Sequence, residues 1–157
     1  MTDLQIKWVC KSFTDLDSDE LYKILQLRNA VFVVEQNSVY QDCDDKDQYS
    51  YHLMGWKNEN LVAYSRLIPP GIAFDAASIG RVVTATAVRR QKIGRELMEL
   101  SIKYIFQLFG EHPITIGAQL YLRNFYKSMG FIEIGDKYME DGIKHIKMHR
   151  SHVTLVQ

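Results

Sequence analysis

The sequence has little cysteine, no net charge and few prolines. Its two cysteines, Cys10 and Cys43, lack the CxxC spacing of a metal or redox motif, so we interpret both as free thiols in a reducing compartment. Nineteen basic and nineteen acidic residues cancel. No overall field therefore draws the protein to nucleic acid or to an anionic membrane, and we expect neither as a partner.

Long apolar runs are also missing. No stretch approaches the roughly 20 residues that a membrane-spanning helix needs. The first eight residues, MTDLQIKW, lack the charged start and apolar segment of a signal peptide. We therefore expect a cytoplasmic protein.

The remaining composition is that of one folded domain. A chain of 157 residues with 46% hydrophobic and 24% charged side chains can bury a core of its own. No internal repeat, low-complexity segment or linker interrupts it. We treat residues 1–157 as a single domain.

Hydrophobic periodicity predicts an α/β protein with the order β-α-β-β-β-α-β-α-β-β. Acidic N-cap candidates at 17–20 begin the first helix, which continues towards 36, and the polar, acidic residues 37–50 form a loop or lid. The predicted strands are 4–9, 51–56, 61–68, 78–86, 113–118, 131–134 and 143–148, and the later helices are 92–109 and 122–129. This order gives a mixed central sheet flanked by helices.

Residues 78–98 contain the first functional motif. A β-branched strand runs into a basic, glycine-containing turn and then directly into a helix. Such a turn directs unpaired backbone N–H groups at an anion, and the helix dipole adds to the attraction. The candidate groups are the backbone of Arg90, Gln91, Lys92, Ile93, Gly94 and Arg95, with Arg89 or Arg90 as the charge partner.

The second motif, FYKSMGF at 125–131, places Tyr126 on a short helix that stops at Gly130. Its phenolic hydroxyl is a candidate proton donor. Together the two motifs suggest a coenzyme A site. Taken singly, each has a simpler interpretation: the basic turn as a solvated helix start, and Tyr126 as a core residue packed beside Phe125 and Phe131.

The two motifs resemble those of the GNAT family of N-acetyltransferases, and further segments resemble its ElaA-like subgroup. The GNAT turn reads Arg/Gln-x-x-Gly-x-Gly/Ala, and RRQKIG at 89–94 fits it with Lys92 in place of the first glycine. The ElaA-like segments are LRNAVFVVEQ (27–36), VAYSRL (62–67), IGRV (79–82), AQ (118–119) and EDGIKH (140–145), the last with Lys144 where that subgroup has proline. The resemblance covers nearly the whole chain.

The resemblance implies a GNAT-type acyl-CoA N-acyltransferase fold and acetyl-CoA as co-substrate. It implies direct transfer of the acetyl group to an amine, with no metal and no covalent enzyme intermediate. Val82, Val83 and Thr84 would offer backbone groups to the pantetheine amides, and Gln119 would add a polar side chain. Tyr126 would be the general acid that protonates the departing thiolate.

The acceptor amine must lose a proton before it attacks. A primary amine with a pKa near ~10.4 is almost wholly protonated at neutral pH, so a base or water chain is needed. Four side chains are candidates: Glu35, His52, Glu133 and His145. We favour His52 and Glu35.

The acidic run QDCDDKD at 41–47 is not a Ca²⁺ loop, because it lacks the required glycine and terminal glutamate. We interpret it as a solvated loop that borders the acceptor cleft. Under this hypothesis Asp44, Asp45 and Asp47 attract a cationic amine.

Two alternatives to acetyl transfer stay open. One is an acyltransferase that uses a longer acyl-CoA, as homoserine-lactone synthase relatives do, and the other is a CoA-binding sensor or interaction module without turnover. The acceptor is a small-molecule or a peptide amine, and the sequence does not identify it. Homodimer formation is an expectation from the family alone.

Overall fold

The computed structural model describes residues 5–152 and has the predicted order of elements. The helices are α1 (Ser18–Arg28), α2 (Ile93–Phe109) and α3 (Arg123–Lys127). The strands are β1 (Lys7–Ser12), β2 (Tyr51–Lys57), β3 (Asn60–Ile68), β4 (Ser78–Thr84), β5 (Ile114–Gln119), β6 (Phe131–Glu140) and β7 (Ile143–Arg150). The predicted first strand began at Leu4, which lies outside the described residues.

The strands form two antiparallel sheets that meet at one point. The first has the order β1-β2-β3-β4 and the second β5-β7-β6. A single parallel bridge joins Ala77 to Ile114, and the Thr115 N–H donates to the Ala77 carbonyl at 3.0 Å. Within residues 5–152, β4 and β5 share no ladder beyond this bridge, so the two sheets diverge from it and leave a gap.

Apolar side chains cover both faces of the first sheet. On one face α2 buries Leu97, Met98 and Ile105 in the larger core cluster. On the other face α1 and the segment after it bury Ile24 and Phe32 against strand residues. Burial of each such side chain contributes about 1.5–3 kcal/mol to the free energy of folding. The packing on both faces of the sheet holds β4 in position beside the gap.

A capping box begins α1, as the acids at 17–20 predicted. The Asp17 carboxylate accepts from the Glu20 N–H at 2.7 Å, and the Glu20 carboxylate accepts from the Asp17 N–H at 2.9 Å. After Arg28 the chain continues as a π-helix over Asn29–Glu35. Helical structure therefore extends towards Gln36, as expected, although not as an α-helix.

A β-bulge distorts β4 beside the gap. Arg66 of β3 pairs with Gly80 and Tyr64 pairs with Val83, so β4 carries one extra residue. Arg81 lies in the bulge with a φ of 50°, a conformation that is strained for a side chain of this size. The bulge directs Arg81 to Asp42, with Nε 2.7 Å from the carboxylate.

The final hairpin is longer than predicted. The predicted strand 131–134 continues to Glu140, and the predicted strand 143–148 reaches Arg150. The alternation was hidden because β6 has an irregular register between Ile134 and Tyr138 and is exposed after Phe131. Asp141 and Gly142, with φ of 51° and 78°, form the tight turn between β6 and β7.

None of the helices in the described part of the chain is both long and apolar enough to cross a membrane.

Candidate active site

The main cavity lies in the gap between the two sheets and has a volume of about 480 Å³. Val82 of β4 and Gln119 of β5 line it from the two diverging strands, and Tyr126 lines it from α3. The second sheet contributes Gly117, Tyr138, Glu140, Ile143, His145 and Lys147. The predicted site residues Val82, Gln119 and Tyr126 thus line one chamber, together with the candidate base His145 and with Asp44 of the acidic run.

A second pocket, the loop pocket, has a volume of about 400 Å³ and lies at the N-terminus of α2. Most of the predicted pyrophosphate residues line it, together with two that the sequence did not single out, Val88 and Phe125. The full set is Thr84, Val88, Arg89, Arg90, Lys92, Ile93, Gly94, Arg95 and Phe125. Gln91 is exposed in the same turn. The Ile93 side chain is buried, with 6% of the residue exposed, so Ile93 can offer an anion only its backbone N–H group.

The backbone of the turn has the alternating conformation of an anion-binding nest. Arg90 and Lys92 have φ of 69° and 61°, both left-handed, and Lys92 is the N-cap of α2. Successive N–H groups in such a turn converge on one point, to which the helix dipole adds. Lys92 therefore adopts the conformation that glycine would adopt most easily at this place in the motif.

Gly94 leaves open space that the fold itself does not fill. A Cβ built there would have one neighbour within 4 Å, the Thr84 Cγ2 at 4.0 Å. Glycine is unfavourable in a helix by about 1 kcal/mol relative to alanine. Packing within the described part of the chain therefore does not account for a glycine in the first turn of α2.

The outer edge of β4 connects the two pockets. Val82 lines the main cavity and Thr84, two residues further along, lines the loop pocket. The Val83 side chain points the other way into the core, so Val83 can offer only backbone groups. Beyond the Ala77 bridge no strand of the described chain pairs with this edge, although the Arg89 guanidinium donates to the Thr84 carbonyl at 3.3 Å.

Tyr126 is both a packed aromatic and a cavity residue. Its ring lies edge-to-face with Phe125 and Phe131, at centroid distances of 5.3 and 6.0 Å. Within residues 5–152 its hydroxyl has no hydrogen-bond partner, and burial raises the pKa of this phenol well above its ordinary value. The hydroxyl is therefore protonated at neutral pH and available to donate into the cavity.

Gln119 is held by a partner that sequence reasoning missed. Its side-chain amide exchanges hydrogen bonds of 3.2 and 3.3 Å with Gln36, which lies at the end of the π-helix. Both side chains line the main cavity, and the pair connects the end of the π-helix to β5. Gln36 belongs to the ElaA-like segment 27–36, so the resemblance of that segment was the one sequence feature that could have indicated a role for Gln36 at the site.

His52 lines neither pocket. It is 0% exposed; its Nε2 donates to the Asp47 carbonyl at 2.9 Å and its Nδ1 accepts from the Tyr64 hydroxyl at 2.7 Å. Burial lowers the pKa of its imidazole. With both nitrogens engaged and no lining role in either pocket, His52 has the geometry of a structural residue, which gives its predicted role as base no support.

The two carboxylate candidates are held by cations. The Arg89 guanidinium pairs with Glu35, with a 2.6 Å contact from Nη2 to Oε2, and this hydrogen bond lowers the pKa of the Glu35 carboxyl. Glu133 lies 3.6 Å from Arg123 and 3.3 Å from Lys127. Neither carboxylate lines the main cavity, and Glu35 in particular is a weaker base than an unpaired glutamate. Of the four candidates, His145 is the one that lines this cavity.

The interpretation of residues 41–47 as a solvated loop is wrong for Asp42, Asp44 and Asp47, although the loop does border the main cavity through Asp44 and Lys46. Buried arginines neutralise its carboxylates: Arg28 contacts Asp42 and Asp47 at 2.7 Å each. The Arg66 guanidinium donates two hydrogen bonds, of 2.7 and 2.9 Å, to the Asp44 carboxylate. Sequence reasoning missed the network because its arginines, at 28, 66 and 81, are far apart along the chain.

These ion pairs also set the pKa values of the loop. Burial alone would raise the pKa of Asp44 and Asp47, but the hydrogen bonds and charges of Arg66 and Arg28 outweigh it and lower both. The hypothesis that Asp44 and Asp47 attract a cationic amine loses its basis, since their charge is already compensated. Asp45 is exposed.

Among residues 5–152 there is no group of three or more His, Cys, Asp or Glu side chains arranged to hold a metal ion.

Comparison with known proteins gives a family match over most of the chain. Residues 16–152 match a family model described as an acetyltransferase (GNAT) domain. The protein ElaA of Escherichia coli K12 is 43% identical over 147 residues, which cover 92% of this chain and 96% of ElaA.

Solved structures agree with this match. The crystal structure of Escherichia coli ElaA superposes with a TM-score of 0.87 at 42% identity, over 93% of this chain and 99% of that one. An acyl-CoA N-acyltransferase from Pseudomonas aeruginosa gives 0.89 at 40% identity with the same coverage. An aminoglycoside 6'-N-acetyltransferase complexed with coenzyme A gives 0.68 at 14% identity, over 95% and 99%, and shares the fold alone.

Proposed function

Because this chain belongs to the GNAT acetyltransferase family, we propose that it transfers the acetyl group of acetyl-CoA directly to an amine acceptor. The observation that carries the proposal is that the open edge of β4 reaches both pockets, because Thr84 lines the loop pocket and Val82 lines the main cavity. Acetyl-CoA has the matching parts in the same order: a pyrophosphate, a peptide-like pantetheine arm and a thioester.

The loop pocket would hold the pyrophosphate. The nest at Arg90 and Lys92 supplies backbone N–H groups, Gly94 leaves room for the phosphates, and the guanidinium groups of Arg89 or Arg90 supply charge. The donor set is one that suits an anion and not a metal ion.

The edge of β4 would take the pantetheine arm. Val82, Val83 and Thr84 offer strand backbone on the side with which no other strand of residues 5–152 pairs. An amide chain can bind such an edge as an added strand does. Gln119, across the gap, would contribute its side-chain amide.

Tyr126 would donate a proton to the thiolate as the carbon–sulfur bond breaks. The leaving thiol has a cysteine-like pKa near ~8.5, so a protonated phenol nearby can supply that proton. General acid help of this kind is worth ~10²–10⁴ in rate. The unpartnered hydroxyl in the main cavity supports this role.

The acceptor is a small-molecule or peptide amine that enters the main cavity, and the proposal includes no nucleic acid, membrane or metal partner. Cys10 and Cys43 are both free thiols, which suits an enzyme of the reducing cytoplasm. A homodimer is part of the proposal only by analogy with the family.

The test is thiol release from acetyl-CoA across a panel of polyamines, amino acids, aminoglycosides and peptides. We expect one class to react, and Tyr126→Phe to lower kcat by ~10²-fold or more without changing the affinity for acetyl-CoA. Tyr121→Phe is the matched control, because Tyr121 is 72% exposed and lies outside the main cavity.

Three other outcomes would change the proposal. Wild-type turnover in Tyr126→Phe would remove the acid role. Faster release from longer acyl-CoA thioesters would favour the acyltransferase alternative. Tight binding of acetyl-CoA with no release on any amine would favour a sensor or interaction module.

A further inference from the structure

We propose that His145 is the group that takes the proton from the acceptor ammonium, with Glu140 and Tyr138 of the neighbouring strand positioning its imidazole for that task. This inference rests on the acetyl transfer proposed above. It replaces the two bases that the sequence favoured, whose nitrogens and oxygens are engaged elsewhere.

The position of His145 on the middle strand of the second sheet fixes it beside the reacting groups. It pairs with Gln119 of β5 on one side and with Tyr138 of β6 on the other. The side chain lines the main cavity together with Tyr126 and is 8% exposed. The proposed base and the proposed acid thus share one chamber.

The hydrogen bond at Nδ1 decides which nitrogen is basic. Nδ1 lies 2.8 Å from the Ile143 carbonyl oxygen. A carbonyl can only accept, so Nδ1 carries the hydrogen of the neutral ring and Nε2 keeps its lone pair. The free lone pair is what a proton acceptor needs.

Glu140 is placed to stabilise the product of that proton transfer. Its Oε2 lies 3.5 Å from the His145 Nε2. While the ring is neutral, both of these atoms are hydrogen-bond acceptors and no hydrogen bond joins them. Once Nε2 takes a proton the contact becomes an ion pair. The Glu140 side chain is 58% exposed, so the proton can pass to solvent and free the ring for the next turnover.

The Tyr138 ring stacks on one face of the His145 imidazole, and Gly117 leaves room for the Tyr138 side chain. The two rings stack at a centroid distance of 5.6 Å with 28° between their planes. A Cβ at residue 117 would lie 2.8 Å from the Tyr138 hydroxyl, so only glycine on β5 allows this placement.

Other ionisable groups surround the cavity. Tyr126 lies on α3, Asp141 in the β6–β7 turn and Lys147 on β7, where its ammonium lies over the Phe74 ring at 5.6 Å. The opposite wall carries Tyr40, Asp44, Lys46, Arg66 and Arg81. Of these, Asp44 and Arg66 are paired with each other.

The proton count of the reaction closes with His145 in this role. The acceptor ammonium gives one proton to Nε2, and the resulting amine attacks the thioester carbonyl carbon. The carbon–sulfur bond then breaks, the thiolate takes the Tyr126 proton, and the second amine proton returns to the phenolate. The products are the amide, the free thiol and one proton, which leaves through His145.

The experiment compares His145→Gln with a matched control, His149→Gln, four residues along β7 and outside the main cavity. With a lysine-like amine at pH 7, we expect His145→Gln to lower kcat/KM by ~10²-fold and His149→Gln to leave it unchanged. With an amine that is already neutral at that pH, such as a hydroxylamine, His145→Gln should lose little. Free imidazole should partly restore the activity of His145→Gly.

The positioning role of Glu140 has its own readout. Glu140→Gln should lower kcat/KM for a lysine-like amine and leave it unchanged for an amine that is already neutral, whereas the loss of a merely structural residue would lower both. A ¹⁵N NMR titration of the acetyl-CoA complex should show Nδ1–H and an unprotonated Nε2 at high pH. The opposite tautomer would overturn the inference.

Failure of this inference is distinguishable from failure of the proposed function. Wild-type release of thiol with undiminished His145→Gln activity towards lysine-like amines would overturn the base and leave acetyl transfer intact. No release by the wild type with any amine would overturn both.

Discussion

At the scale of single residues, Gly94 offers the sharpest test of the loop pocket. Gly94→Ala should raise the free energy of unfolding by about 0.5–1 kcal/mol, because alanine is the better helix former and meets only Thr84 Cγ2 at 4.0 Å. The same methyl group should weaken coenzyme A binding by at least ~10-fold, equivalent to ~1.4 kcal/mol, where phosphate would approach. Urea unfolding and titration calorimetry measure the two effects.

Lys103→Ala is the control for Gly94→Ala, since Lys103 lies on the exposed face of the same helix. It should leave coenzyme A affinity unchanged. A folded Gly94→Ala protein with wild-type affinity would contradict the placement of the pyrophosphate in the loop pocket.

How far the sequence predicted individual residues depended on how local their interactions are. The turn around Lys92 and the FYKSMGF helix are contiguous, so their residues could be assigned to pockets from sequence and resemblance. His52 could not be separated from His145, because both alternate in strands and only the tertiary structure shows which one faces the cavity. The arginine network required contacts between residues 14 to 39 positions apart.

At the scale of elements, the Glu35–Arg89 pair connects the π-helix to the pyrophosphate turn. Each side chain is more than a third exposed, so the pair is worth about 0.2–1 kcal/mol. Glu35→Gln should free Arg89 for phosphate and tighten coenzyme A binding by up to ~5-fold, as that energy range implies. Calorimetric Kd values at one salt concentration provide the measurement.

Two controls isolate the phosphate contact. Pantetheine, which has no phosphate, should bind wild type and Glu35→Gln equally. Glu133→Gln breaks an ion pair of similar exposure elsewhere and should have no effect on coenzyme A. Weaker binding in Glu35→Gln would show that the pair positions the turn and does not compete with the ligand.

Elements with strong periodicity were predicted well, and those with distorted backbones were not. The amphipathic helix α2 was located to within one residue because its buried positions recur at the helical period. Strand β6 was cut short because Gly135, with a φ of 72°, and an irregular register break its alternation. The bulge in β4 left no sign in a sequence that reads as one continuous strand.

At the scale of the whole molecule, the buried charge network makes stability depend on pH. His52 has a lowered pKa in the folded protein because burial disfavours its charged form, so below about 6.5 the unfolded chain binds more protons and stability falls. The loss is about 1.4 kcal/mol per pH unit until the folded-state pKa is reached. Urea unfolding between pH 7.5 and 3 would follow it.

A second loss begins near the ordinary aspartate pKa of 3.8, because Asp44 and Asp47 have lowered pKa values in the folded state. Protonating either carboxylate removes one of the two counter-charges that Arg66 and Arg28 each contact. His52→Gln should abolish the first stage and keep the second. A flat profile from pH 7 to 5 in the wild type would contradict the role of His52.

Among the described residues, one bridge between Ala77 and Ile114 is the only backbone pairing between the two sheets, so little backbone pairing closes the gap between them. An acetyl-CoA molecule bound in that gap would stabilise the folded protein, because a ligand that binds only the folded chain shifts the folding equilibrium by mass action. Under the proposed function, the resistance of the folded protein to unfolding would therefore rise with the concentration of acetyl-CoA.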